Sequence, residues 1–134
     1  MPVLGEANFE PSPIEGTSTE GAKGYVVPAV KSARDARAAV VALPLDEERK
    51  ERAVLVVSEL AGNAILHAGG VLWLQIFHDE SRTRVEVADA SHVLPGPVDA
   101  SAMSGRGLQL IDAFAKAWGA EPRSWGKVVW AEIE

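Results

Sequence analysis

Apolar residues recur along the chain with two different periods, and the switches between them mark out its elements. Gly24-Tyr25-Val26-Val27 is a short apolar run stopped by Pro28 and predicts a strand. Val30, Ala33, Arg37, Val40 and Leu43 then recur at helical spacing until Pro44 ends the run. A second helix is predicted from an N-cap at Asp46 to about His67, where Gly69-Gly70 stop it; Glu47, Glu48 and Glu51 complement the positive end of its dipole. At ~100° per residue, Ala53, Val57, Leu60, Ala61 and Ala64 share one apolar face, and Glu59 and Asn63, four apart, sit together beside it.

Val71–Phe77 and Thr83–Ala88 read as strands joined by a hairpin loop at Asp79-Glu80-Ser81-Arg82. A looser segment, Ser91 to Ser104, holds Pro95, Gly96 and Pro97. Leu108, Leu110, Ile111, Phe114, Ala115 and Trp118 then predict an amphipathic helix ending at Gly119, and Val128–Ile133 a closing strand. Strand, helix, helix, hairpin, loop, helix, strand is the order of an α+β two-layer sandwich. Its sheet would be mixed, mainly antiparallel, and covered on one face by three helices, with the other face partly wet or covered by a partner. Residues 1–22, with Pro2, Pro11, Pro13 and few apolar groups, read as a flexible arm, and 23–134 as the folded domain.

Composition narrows the class. The 134 residues are 47% apolar and 24% charged, ordinary values for one globular domain. A net charge of −6 argues against gripping nucleic-acid phosphates or anionic membranes. The absence of cysteine excludes a disulfide framework, a thiolate zinc site and a cysteine nucleophile. The longest uncharged stretch, Leu60 to His78, is broken by Asn63, His67, Gly69-Gly70 and Gln75, so it is no membrane span. The N-terminus lacks the charged and apolar regions of a secretion signal. A cytoplasmic protein is the expectation.

Three constellations could carry chemistry. Glu59 and Asn63 project the same way one helical turn apart, so Asn63 could offer a carbonyl oxygen to a hard cation while Glu59 takes a proton; the same spacing also occurs on plain solvated helix edges. Asp89 ends an alternating strand and could accept from an exocyclic amine, or merely cap a turn. Ser104-Gly105-Arg106-Gly107-Leu108 opens a helix, where backbone N–H groups can approach an anion and Arg106 can add a cation, although a Gly-x-Gly often only shapes a turn.

In that order the three resemble the Bergerat, or GHKL, ATP-binding fold. Val57-Ser58-Glu59-Leu60-Ala61-Gly62-Asn63-Ala64-Ile65-Leu66-His67-Ala68 is similar to the N box of its anti-sigma-factor serine kinase branch. Gly105-Arg106-Gly107-Leu108, Trp118-Gly119 and Gly126–Glu132 are similar to that branch's C-terminal half, so the resemblance spans about Tyr25 to Ile133. It implies ATP held between the helices and a lid, with Mg²⁺ bridging the phosphates and Asn63. It further implies Glu59 as general base toward a protein serine, Asp89 on the adenine amino group, and Gly105, Arg106, Gly107 and Leu108 around the phosphates.

The partners implied are a sigma factor and a serine-bearing antagonist protein, and a homodimer is left open. Two departures stand out. The family's Asp-x-Gly-x-Gly is replaced by Asp89-Ala90-Ser91-His92-Val93, where Ser91 could donate a hydroxyl in place of a glycine contact. The hydroxyl residue common before the last strand is replaced by Lys127-Val128. The expectation is therefore an ATP-binding regulator able to act as a protein serine kinase; the alternative is a non-catalytic interaction module with weak or no nucleotide binding.

Overall fold

The computed structural model, which describes residues 5–6, 23–27, 30–93 and 107–134, is an α+β sheet-and-helix arrangement. Its strands are β1 (Gly5–Glu6), β2 (Lys23–Val27), β3 (Trp73–His78), β4 (Thr83–Asp89), β5 (Ala117–Arg123) and β6 (Gly126–Ile133). The helices are α1 (Ala33–Val41), α2 (Glu47–Ala68) and α3 (Gly107–Phe114). Strand order is β1-β2-β3-β4-β6-β5, and every neighbouring pair is antiparallel, so the expected mixed character is not found among the described residues. Gly5 and Glu6, expected within a flexible arm, pair with Val26 and Tyr25. The rest of the expected arm, 1–4 and 7–22, lies outside the described residues.

Local chemistry sets the helix ends. Ser32 caps α1, its Oγ accepting from the Asp35 N–H at 3.2 Å. Asp46 caps α2 by accepting from the Arg49 N–H at 2.8 Å, and Gly69 ends that helix at φ 79°, a left-handed position glycine takes without a Cβ penalty. The apolar face of α2, including Ala53, Val57, Leu60, Ala61 and Ala64 as expected, packs into one core with the sheet. There the cross-strand rows Leu74-Val87-Val129 and Ile76-Val85-Ala131 point toward the helices. Burying such side chains contributes roughly 1.5–3 kcal/mol each before conformational entropy is counted.

Alternation puts Gln75, Arg84, Glu86 and Trp130 on the opposite face, expected to be partly wet or covered by a partner. These residues are buried instead: Glu86 is 0% exposed, Gln75 2% and Arg84 3%. Arg84 Nη2 lies 2.7 Å from Glu86 Oε2, and the guanidinium sits 5.1 Å from the centre of the Trp130 ring. Burial pushes the Glu86 carboxyl above its ordinary range against the attraction of Arg84, and burial lowers Arg84 in turn.

The last helix is shorter than expected. It stops at Phe114, and Ala117–Arg123, whose first three residues were expected to close the helix, is the edge strand β5. The apolar spacing that suggested a helix through Trp118 has another cause: Trp118 packs against the main core from β5 while its Nε1–H donates to Asp112 at 2.5 Å. Pro122 is tolerable there because among the described residues β5 pairs with β6 alone, and an edge position can dispense with one donor.

Candidate functional site

The direction of α2 decides which residues meet. At its start, Arg49 donates to the carbonyls of Asp79 at 2.8 Å and Glu80 at 2.6 Å, in the turn preceding β4. From Arg49 to Asn63 the helix rises about 21 Å, and from Thr83 to Asp89 β4 advances about 20 Å. After α2 the chain returns at once to the far end of β4, where the Leu72 N–H donates to the Ala88 carbonyl at 2.7 Å. Glu59 and Asn63 therefore lie toward the same end of the sheet as Asp89. Both are half-buried, flanking the Leu60 and Ala64 positions that enter the core.

α3 packs against α2, and its first residue, Gly107, begins the helix. Gly107 and Leu108 thus stand in its opening turn, as expected, whereas Gly105 and Arg106 lie outside the described residues. Asn63 could offer a cation one uncharged oxygen, and among the described residues no group of three or more His, Cys, Asp or Glu could hold a metal ion. Such a ligand suits Mg²⁺ that keeps phosphate and water oxygens, not an all-protein cage.

Asp89 is the last residue of β4 and is 2% exposed. Its Oδ1 accepts from the Ser91 N–H at 2.9 Å, the turn-capping role weighed above. The same oxygen takes the Lys127 ammonium at 2.9 Å, from the residue directly opposite on β6. Ser91 Oγ accepts from the Val93 N–H at 3.1 Å, which leaves its hydroxyl proton free to be donated elsewhere.

Lys127 is the residue the sequence reading passed over. It registered only as a departure from a family pattern, because a cross-strand pair 38 residues apart has no local signal. A Cβ on neighbouring Gly126 would lie 2.0 Å from the Asp89 carbonyl oxygen, and φ there is +155°. That close approach holds the start of β6 against the end of β4. Gly126→Ala should therefore destabilise the fold by about 2 kcal/mol or more, read as a lower urea midpoint. An unchanged midpoint would mean that the two strand ends are not tightly coupled.

An open groove on the outer side of the helical hairpin, lined by Val41, Glu47, Lys50, Glu51, Val54 and Leu55, lies at the other end of α2 from Asn63. No helix among the described residues is long and apolar enough to cross a membrane. No family model and no curated protein matches the chain.

Proposed function

We propose that the protein is a regulator of the anti-sigma-factor type built on the GHKL scaffold. It binds a sigma factor in the cytoplasm, and Mg²⁺ and ATP at the Asn63–Asp89 end of the sheet govern its exchange with a serine-bearing antagonist. The observation that carries this reading is that Glu59 and Asn63 on α2 lie toward the same end of the sheet as Asp89 at the end of β4. Two separately weak motifs are thereby brought toward one ligand, and the family resemblance adds the start of α3.

The residues fit the metal and phosphate end. Asn63 supplies one oxygen to Mg²⁺, which when bound neutralises phosphate charge, and the start of α3 offers backbone N–H groups to an anion. Glu59 lies one turn before Asn63, placed to accept the proton of an incoming serine hydroxyl. At the base end Lys127 takes one of the two Asp89 carboxylate oxygens, Oδ1, and offsets the negative charge a base amine would meet. This pair is the specific observation that favours the second reading, an interaction module that docks with weak or no nucleotide binding.

The metal end has its own test. Asn63→Ala should abolish the Mg²⁺ dependence of ATP binding measured by titration calorimetry, since the cation loses its protein oxygen. An unchanged Mg²⁺ response would return Asn63 to a plain helix edge.

A further inference from the structure

We propose that the groove at the start of α2 is a docking surface for a basic amphipathic helix of a partner protein. The groove lies at the other end of α2 from Asn63, so this surface stands independently of the nucleotide site. Its apolar part is Val41, the last residue of α1, with Val54 and Leu55 on α2. Val41 is 56% exposed and Leu55 40%, so two large apolar side chains stand in water on the lining of one concave surface.

Charge selects the occupant. At ~100° per residue, Lys50 and Val54 lie next to the buried stripe of α2, whereas Glu47, Glu51, Leu55 and Glu48 follow one another around its outer side. A partner laid across that side meets three carboxylates around Leu55, with Lys50 inward of them. All three are exposed, and none forms an ion pair with a described residue; the neighbouring acid, Asp46, is engaged by Arg49. Glu51 stands beyond the first turn, where the helix dipole no longer accounts for it.

A second copy of the chain is mismatched, because a two-fold contact here would set these carboxylates against the same carboxylates. The chain's own segments outside the described residues are mismatched too. Residues 7–22 carry Glu10, Glu15 and Glu20 without a Lys or Arg, and residues 94–106 carry Asp99 and Arg106, one of each sign. A helix with apolar side chains at i, i+3 and i+4 and Lys or Arg beside them meets both features of the groove. Its apolar contact supplies most of the affinity, and the exposed ion pairs mainly choose the partner.

The probes are two labelled synthetic helices of about 15 residues that share one leucine stripe and differ only beside it, Lys in one and Glu in the other. Binding to the full chain is read by fluorescence anisotropy, and its place by amide shifts of ¹⁵N-labelled protein. Wild type should bind the Lys helix about fivefold or more tighter than the Glu helix at low salt, with shifts on Val41–Leu55. Glu47→Lys combined with Glu51→Lys should reverse the preference. Leu55→Ser should weaken binding of the Lys helix by about tenfold or more, and Val41→Ser replaces it if circular dichroism shows that variant unfolded. Leu66→Ser, an exposed change near the other end of α2, should leave binding as in wild type.

Equal binding of the two helices, no saturable binding of the Lys helix up to millimolar concentration, a charge-reversed variant with the wild-type preference, or shifts centred elsewhere would overturn the proposal. So would a dimer of the free chain, seen by sedimentation, that Leu55→Ser dissociates, since the groove would then belong to a second copy. None of these outcomes bears on ATP binding, and a failure of ATP binding leaves the groove untouched.

Discussion

Glu59→Gln is expected to cut phosphate transfer to a serine of the antagonist by at least about 100-fold while leaving Mg²⁺-ATP affinity unchanged. Glu59 is half-buried on the α2 edge, one turn before Asn63, and its carboxylate can take the serine proton as the serine oxygen bonds to the γ-phosphorus and the bond from that phosphorus to the bridging oxygen breaks, releasing ADP. Glutamine has the same size and keeps a hydrogen-bonding carbonyl, yet accepts no proton at neutral pH. Only a step that needs a base should suffer. The measurement uses the co-purified antagonist and γ-labelled ATP. Equal labelling by mutant and wild type would remove Glu59 from the chemistry, and no labelling by either, with ATP bound, would favour the docking module.

The second large effect concerns stability and has a worked pH sign. Arg84→Met should cost about 3–5 kcal/mol at pH 7, because it leaves Glu86 buried without its counter-charge. Methionine retains much of the volume, so the loss is mainly electrostatic, together with the contact of the guanidinium over Trp130. Burial already raises the folded-state pKa of Glu86 above its ordinary 4.5, and the substitution raises it further. The folded state then binds the proton more tightly than the unfolded chain does. Its stability must fall as pH rises from 4.5 through the raised value. The cost of Arg84→Met should accordingly shrink when urea unfolding is repeated at pH 5. A cost independent of pH would mean that the Glu86 charge is compensated by something other than Arg84.

The parts of this fold legible in the sequence are those whose causes are local. Asp46 and Gly69 delimit α2 because capping and left-handed backbone are properties of single residues, and the α2 apolar stripe follows from its period. β5 was illegible: Gly119 and Pro122 break any strand pattern, and what makes Ala117–Arg123 a strand is pairing with β6. Asp79 shows the same logic on a small scale. Its Oδ1 accepts from the N–H groups of Ser81 and Arg82, so the hairpin loop expected at Asp79–Arg82 could be read from a single side chain.

At the site, Glu59 and Asn63 were legible as a pair because they share one helix, and Asp89 because it ends an alternating strand. Whether Asp89 is available to a ligand depends on which residue stands across the β4–β6 ladder, which only the register shows. The same holds for the far face of the sheet. That face was expected to be partly wet or covered by a partner, but the depth at which Gln75, Arg84 and Glu86 are buried is a matter of packing, not of period.

The most direct test of the central claim is a titration of the ¹⁵N-labelled chain with Mg²⁺-ATP, followed by amide chemical shifts. Saturable changes are predicted around Ser58–His67 of α2, Asp89–Val93 after β4, Lys127, and the first turn of α3. The Val41–Leu55 groove at the opposite end of α2 should stay unperturbed. No saturable change up to millimolar nucleotide, or changes centred on Val41 and Leu55 with the Asn63–Asp89 end silent, would contradict it.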